Sequence, residues 1–262
     1  MPALAVGKNR IHYWEGRNDS PGKRQVVLFV HGAGGGEFVW VYQKGFFQRG
    51  FRPVIIELPG HGASEGEGEE EIGRYAEQVY SFLKALAVSK VFLVGHSMGG
   101  AIVQNLALAH PEIIQGIILV GTGAKLRVHS AVLNGIKENF EETVQKIVRY
   151  AYSRKAPAEL IEKGTAQLLS CRPEVLYGDF LACDRFDLLK EVGKIRLPTL
   201  VVCGEEDELT PVTYSEFLHR KIRGSRLKIL PDAGHLVMME SPELFNEKVN
   251  AFLLNPTVSG NS

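Results

Sequence analysis

The chain has 262 residues, of which 45% are hydrophobic and 23% charged, as is ordinary for a soluble globular protein. Thirty Lys and Arg residues balance thirty Asp and Glu residues, so the charge gives no reason to expect nucleic acid or an anionic membrane as a partner. The three cysteines, Cys171, Cys183 and Cys203, are odd in number and widely spaced. This disfavours a disulfide framework and favours a reducing compartment.

Short apolar segments of strand type recur along the chain. The first two, residues 3–6 and 10–15, flank Gly7-Lys8-Asn9 and predict a β-hairpin. The later runs are rich in Val, Ile and Leu without alternation, as expected when helices cover both faces of a parallel sheet. These runs are residues 26–30, 54–58, 91–94, 117–120, 200–203 and 227–230.

Helical spacing of apolar residues marks the segments between several of these strands. Residues 72–86 predict a crossover helix, and Val249, Phe252 and Leu253 predict a closing helix, followed by a loose tail at 257–262. From 123 to 192 no strand is predicted, only helices. Residues 1–14 lack the layout of a signal peptide, and no stretch reaches transmembrane length, so we expect a cytoplasmic protein.

The most specific motif is Gly95-His96-Ser97-Met98-Gly99, between the strand 91–94 and a run of helical type. A serine between two glycines on a strand-to-helix turn is a nucleophile elbow, which holds the serine hydroxyl away from the backbone. In this setting the motif resembles the α/β-hydrolase superfamily, and the resemblance covers nearly the whole chain. It implies an α/β-hydrolase fold, with a mostly parallel eight-stranded sheet flanked by helices. It also makes Ser97 the nucleophile, which disfavours the family members with an aspartate nucleophile.

Residues 31–36, His-Gly-Ala-Gly-Gly-Gly, resemble the oxyanion loop of the same family. The family pattern assigns the two backbone amides that face the developing oxyanion to Ala33 and Met98. A phosphate-binding loop is the alternative, but the segment lacks both G-x-G-x-x-G and the Lys-Ser/Thr of a P-loop. Residues 58–64 resemble the turn after the family's fourth strand, with Glu57 where Asp is usual, and we interpret this turn as structural.

His235 and Asp207 match the base and the acid that the resemblance requires downstream of Ser97. His235 follows the last predicted strand, and imidazole suits a general base because it titrates near working pH. Asp207 stands in a segment similar to the family's G-x-x-D-x-x-x-P pattern, and its role would be to hold the histidine tautomer. Neighbouring carboxylates could reach in principle and stay alternatives: Glu205, Glu206 and Glu208. The histidines form no metal-binding motif, so neither a metal nor another cofactor is implied.

In this family an insertion after the sixth strand is usually a helical cap over the active site. We therefore divide the chain into a hydrolase core, residues 1–122 and 193–262, and a cap, residues 123–192. The alternative is a set of ordinary crossover helices packed on the sheet. The stripe Val132, Ile136 and Phe140 could line a substrate pocket under the cap or could pack helix on helix.

The resemblance implies a serine hydrolase that cleaves a small carboxylic ester, thioester or lactone through an acyl-enzyme on Ser97. Two alternatives stay open. Relatives hydrolyse C–C bonds of vinylogous diketones, and some plant hormone receptors of this fold keep an intact triad and turn over slowly. A small-molecule substrate is the only partner expected, and the sequence does not predict an oligomeric state.

Overall fold

One eight-stranded sheet organises the part of the chain that the computed structural model describes, residues 2–16 and 24–256. Its strands are β1 Ala3–Val6, β2 Asn9–Glu15, β3 Val26–Val30, β4 Arg52–Ile56, β5 Val91–His96, β6 Ile114–Val120, β7 Thr199–Gly204 and β8 Arg226–Leu230. Their order is β1-β2-β4-β3-β5-β6-β7-β8. β1 and β2 form an antiparallel hairpin, β2 pairs antiparallel with β4, and the remaining neighbours are parallel.

Two strands, β4 and β6, begin two or more residues earlier than the apolar runs predicted. β4 starts at Arg52 because this residue and Pro53 pair with the beginning of β3. It ends before Leu58, whose amide donates instead to the ring of His31, at 3.1 Å. β6 starts at Ile114, and its register shifts near Gln115, a polar residue that hid this end of the strand from the hydrophobic pattern.

Helices cover both faces of the sheet. They are α1 Val41–Phe47, α2 Ile72–Ala85, α3 Met98–Ala109, α4 Ser130–Glu138, α5 Phe140–Ala151, α6 Ala158–Leu169, α7 Pro173–Arg185, α8 Val212–Lys221, α9 Val237–Glu240 and α10 Pro242–Leu254. Successive side chains of a strand point to opposite faces. Leu28 of β3 accordingly belongs to the apolar cluster on the side of α2, α3 and α8, whereas Phe29 belongs to the cluster on the side of α1, α9 and α10. The predicted fold class, a mostly parallel eight-stranded sheet flanked by helices, is confirmed.

The segment between β6 and β7 contains α4 to α7. These helices have an apolar cluster of their own, with Val144, Val148 and Leu176 at its centre. An isolated bridge between Lys125 and Asp187 joins the two ends of the segment. The division of the chain into a core and a cap stays a prediction, and the predicted tail at 257–262 lies outside the described residues.

None of the helices within residues 2–16 and 24–256 is long and apolar enough to cross a membrane. The cytoplasmic location stays a prediction.

The parallel strands bring the loops that follow them to one edge of the sheet. Residues 31–36 follow β3, Ser97 follows β5, Asp207 follows β7 and His235 follows β8. In open α/β sheets, ligands bind outside this carboxyl edge. The sequence-predicted site residues therefore lie where such a fold places its binding crevice.

Candidate active site

Ser97 is the single residue between β5 and α3, and its backbone is strained. Its φ of 53° and ψ of −117° lie outside the usual regions for a residue with a side chain. A Cβ on Gly95 would overlap the carbonyl of Gly99, and a Cβ on Gly99 would overlap the carbonyl of Val30. Both flanking positions therefore require glycine, as the elbow motif predicts. Thr122 Oγ1 donates to the Ser97 carbonyl at 2.8 Å and helps to hold this turn.

Asp207 and His235 are brought together across the ends of β7 and β8. His235 Nδ1 lies 2.9 Å from Oδ2 and 3.1 Å from Oδ1 of the carboxylate, and both residues are buried. A carboxylate only accepts hydrogen bonds, so Nδ1 carries the proton and donates it. In the neutral ring, Nε2 is then left as the acceptor, which is the tautomer that a general base needs.

The charge of Asp207 is held by several donors. The backbone amides of Leu209 and Thr210 donate to Oδ1 at 3.0 and 2.8 Å, and Thr210 Oγ1 donates to Oδ2 at 2.8 Å. Burial raises the pKa of the Asp207 carboxyl, but the facing His235 and the bonds from Thr210 outweigh burial and hold that pKa below its ordinary value. The group is therefore a carboxylate at neutral pH.

Thr210 is a member of this site that the sequence analysis missed. Its hydroxyl lies 3.2 Å from His235 Nδ1 as well as next to the carboxylate of Asp207. A signal was present, because an Asp that accepts the amides two and three residues later forms a recurrent local turn. A threonine three residues after an Asp in a strand-exit loop could have been singled out on that ground.

The neighbouring glutamates do not take the place of Asp207. Glu206 points away and accepts the backbone amide of Arg154 at 3.1 Å. Glu205 and Glu208 are exposed. In the described part of the chain, Asp207 is the carboxylate hydrogen-bonded to His235.

The loop that carries His235 is fixed from three directions. The His235 amide donates to the carbonyl of Ala151, the last residue of α5, at 2.9 Å. Gly234 donates its amide to Glu240 of α9 at 3.0 Å. The ring of His96 lies against the loop, with Nε2 3.0 Å from the His235 carbonyl. Burial lowers the pKa of His96 to about 3, so this ring is neutral and its Nε2 is the donor.

Residues 31–36 lie directly against the elbow. A Cβ on Gly32 would be 3.0 Å from the Cβ of Ser97, so no side chain separates the loop from Ser97 at this point. Ala33 lines the same cavity as Ser97. Among the described residues the Ala33 amide has no hydrogen-bond acceptor. Met98 is the first residue of α3, where a backbone amide has no acceptor within the helix.

The other amides and the histidine of this loop are occupied. Gly34 donates its amide to a carboxylate oxygen of Asp179 at 2.8 Å, and Gly35 donates to the Gly32 carbonyl at 3.0 Å. His31 accepts the Leu58 amide on Nε2, so its Nδ1 donates to the Gly32 carbonyl at 2.8 Å. Burial lowers the pKa of His31 to about 3, and the ring is neutral. A loop whose central amide binds a carboxylate from the protein itself is poorly suited to cradle a phosphate.

The turn at residues 58–64 is held by the buried Glu57. Its carboxylate accepts the Ala63 amide at 2.8 Å, and its carbonyl accepts the Ser64 hydroxyl at 2.7 Å. Gly62 has a φ of 53°, and a Cβ there would collide with the Glu57 carboxylate. These contacts agree with a structural turn.

A cavity of about 520 Å³ opens in front of Ser97 and His235. The helices between β6 and β7 and the segment before them supply much of its lining: Leu126, Val128, Val132, Ile147, Val148, Tyr152, Leu168 and Phe180. Of the predicted stripe, Val132 lines the cavity. Ile136 and Phe140 do not, and both pack inside the helical cluster instead. Periodicity shows which residues share a helix face, but not which neighbour that face meets.

Comparison with known proteins identifies the family of the chain. The alpha/beta hydrolase family matches residues 27–248. The chain is 28% identical to the 2-hydroxy-6-oxo-6-phenylhexa-2,4-dienoate hydrolase of Comamonas testosteroni, over 93% of this chain and 91% of that protein. It is 27% identical to the 3-oxoadipate enol-lactonase 2 of Acinetobacter baylyi, over 88% and 89% of the two chains. The solved structure of a thermophilic esterase is 36% identical, with a TM-score of 0.85 and 98% of each chain covered. With its sheet, its elbow and these relatives, the chain belongs to the alpha/beta hydrolase family.

Proposed function

We propose that this hydrolase cleaves small carboxylic esters by way of an acyl-enzyme on Ser97. One observation carries the proposal: Ser97, at a strained strand-to-helix elbow, lines the same cavity as His235, whose ring is held by Asp207. A serine hydroxyl is a weak nucleophile at neutral pH and needs a base that is itself oriented by a third group.

In the proposed mechanism, Ser97 Oγ attacks the substrate carbonyl while His235 Nε2 takes its proton. The amides of Ala33 and Met98 stabilise the oxyanion of the tetrahedral intermediate. His235 then gives the proton to the leaving alcohol, which departs and leaves the acyl group on Ser97. A water molecule attacks the acyl-enzyme while His235 takes its proton, and His235 then returns that proton to Ser97 Oγ as the bond to the acyl group breaks and the acid leaves. Asp207 stabilises the imidazolium of His235 during both acylation and deacylation.

The substrate class rests on the lining and on the relatives. The apolar cavity suits an apolar acyl group, and the 36% identical relative is an esterase. A thioester or a lactone would react by the same steps. A panel of p-nitrophenyl esters, a thioester, a lactone and a vinylogous diketone tests the proposal. We expect the highest kcat/KM on an ester, and cleavage of the diketone alone would contradict it.

A C–C bond hydrolase is the second candidate. It is favoured by the relative from Comamonas testosteroni, whose identity extends over nearly the whole chain.

A ligand receptor with slow turnover is the other alternative. In the same panel, such a receptor would release about one equivalent of product and then stop.

The pH dependence follows from the charges of the site. His235 accepts the serine proton only while Nε2 is unprotonated, so we expect kcat/KM to rise from acidic to neutral pH. The pKa of Asp207 lies below its ordinary value because His235 and the bonds from Thr210 outweigh the effect of burial. The carboxyl therefore loses its proton at lower pH than an ordinary aspartate, and we expect it to add no second step near neutral pH. A pH profile of kcat/KM should show a single ionisation on its acid side, and two steps or a flat profile would contradict this account.

We propose that the helices of residues 123–192 form a cap that selects the acyl group, and Phe180 tests this. Phe180 lines the cavity, whereas Phe140 lies on the neighbouring helix α5 and does not, so the two form a matched pair. Phe180→Ala should change the difference in activation free energy between short and long acyl chains by about 1–3 kcal/mol, and with it the ranking of the esters. Phe140→Ala should lower thermal stability and leave the ranking unchanged. A chain-length series of esters measures both, and equal profiles for wild type and Phe180→Ala would contradict the proposal.

A further inference from the structure

Asp179 is a fully buried carboxylate in the middle of α7, outside the triad. Oδ2 accepts the amide of Gly34 at 2.8 Å and lies 2.7 Å from Nε2 of His61. Oδ1 accepts the hydroxyl of Tyr75 at 2.5 Å. These three partners belong to the oxyanion loop, the turn at 58–64 and α2. One carboxylate from the segment between β6 and β7 therefore ties together three elements of the sheet layer.

His61 and Asp179 form a buried ion pair. His61 Nδ1 lies 3.1 Å from the carbonyl of Pro59, which only accepts, so Nδ1 carries a proton. Nε2 faces a carboxylate and donates a second proton to it. Burial lowers the pKa of His61, but the charge of Asp179 and its hydrogen bond raise that pKa above its ordinary value. A charge buried this deeply is costly unless it is paired and hydrogen-bonded, and here it is both.

The hydrogen bond to Gly34 acts on the backbone that carries the Ala33 amide. The N–H of Gly34 belongs to the rigid peptide unit that follows Ala33. The Ala33 amide belongs to the unit that precedes it, whose carbonyl, that of Gly32, accepts the Gly35 amide at 3.0 Å. The two units share the Ala33 Cα, so the hydrogen bond from Gly34 to Asp179 fixes the unit next to the Ala33 amide. Gly34 has a φ of 60°, and a Cβ there would lie 2.5 Å from the methyl groups of Leu168 and Leu176. Leu168 of α6 and Leu176 of α7 thus confine the loop at Gly34 by contact, and Asp179 of α7 holds Gly34 by a hydrogen bond to its carboxylate.

We propose that Asp179 is a positioning residue for the oxyanion hole: through Gly34 it keeps the Ala33 amide aimed at the substrate carbonyl oxygen. This inference rests on the proposed function of Ser97 and goes beyond it. It also extends the expected role of the helical segment, because a residue of that segment then contributes to the chemical step as well as to substrate choice.

A purely structural role for Asp179 predicts a different result from a positioning role. If it only stabilises the fold, Asp179→Ala lowers the melting temperature but leaves kcat per titrated active site unchanged. If it positions the amide, the same variant loses kcat on the order of 10- to 100-fold, because small displacements of catalytic groups are that costly. KM changes little, since the loss falls on the transition state.

The experiment measures kcat, KM, the melting temperature and the inhibition constant of a trifluoromethyl ketone, whose hemiketal oxygen mimics the oxyanion. Asp179→Ala should weaken this inhibitor in parallel with kcat. Asp179→Asn keeps an oxygen acceptor for Gly34 but loses the charge, so it should recover most of kcat while remaining less stable. If Asp179→Ala does not fold, Asp179→Ser, whose hydroxyl is too short to reach Gly34, is measured by the same criteria.

Glu174→Gln is the matched control. Glu174 lies on the same helix, is exposed, and does not line the cavity in front of Ser97. Its replacement should leave kcat and inhibition unchanged. Unchanged kcat and inhibition in the folded Asp179→Ala or Asp179→Ser variant would overturn the proposal, even with a lowered melting temperature. A wild type that hydrolyses no ester would instead contradict the proposed function.

Discussion

Ser97→Ala should lower the kcat of ester hydrolysis by several orders of magnitude, roughly 10⁴- to 10⁶-fold. Without Oγ no acyl-enzyme can form, while the oxyanion amides and the cavity remain. The fold should survive, because alanine retains the Cβ and the backbone of the elbow is fixed by close contacts at Gly95 and Gly99. The measurement is kcat on the preferred ester, together with a thermal melt.

A serine elsewhere provides the control for this substitution. Ser81 is exposed on α2 and does not line the cavity in front of Ser97, so Ser81→Ala should have wild-type kcat. A folded Ser97→Ala variant with more than about a tenth of the wild-type kcat would contradict the assignment of the nucleophile, since loss of a triad nucleophile costs far more.

The second large effect is expected for Asp207→Asn. The amide is nearly isosteric with the carboxylate, so its oxygen can still accept the hydrogen bonds from the backbone amides of Leu209 and Thr210. However, an amide that donates to His235 Nδ1 favours the tautomer with the proton on Nε2, which cannot accept the proton of Ser97. The expected loss in kcat is on the order of 10⁴-fold.

Glu206→Gln serves as the comparison for Asp207→Asn. Glu206 is the adjacent residue, and its carboxylate binds the amide of Arg154 rather than His235. We expect a change in kcat of less than about threefold, in line with a partly exposed contact. If Glu206→Gln is the crippling change and Asp207→Asn is mild, the acid has been assigned to the wrong residue.

The buried parallel strands, and the loops that follow them, could be predicted from the sequence for a physical reason. Parallel strands buried on both faces produce unbroken apolar runs, such as residues 26–30, and the elbow demands glycines that a pattern can detect. Strand ends were predicted less well. Pro53 pairs with β3 although proline is atypical of strands, and Gln115 is skipped at a register shift between the paired residues Ile114 and Gly116, so a hydrophobic pattern shows neither strand end.

The contacts between distant segments could not be predicted. Asp179 is a polar residue inside a helix, and nothing in its neighbourhood shows that it is buried against Gly34 and His61. The same holds for the stripe of α4 and α5, where Val132 meets the cavity but Phe140 meets other helices. Such choices depend on how the helices pack, and the periodicity within one helix does not carry that information.

The central claim is that Ser97 is the residue that becomes acylated. Its most direct test is to label the protein with a fluorophosphonate probe and to map the modified peptide by mass spectrometry. The account predicts one equivalent of label on Ser97, none on the Ser97→Ala variant, and protection of wild type by a competing ester. Label on another residue, or equal labelling of Ser97→Ala, would contradict it.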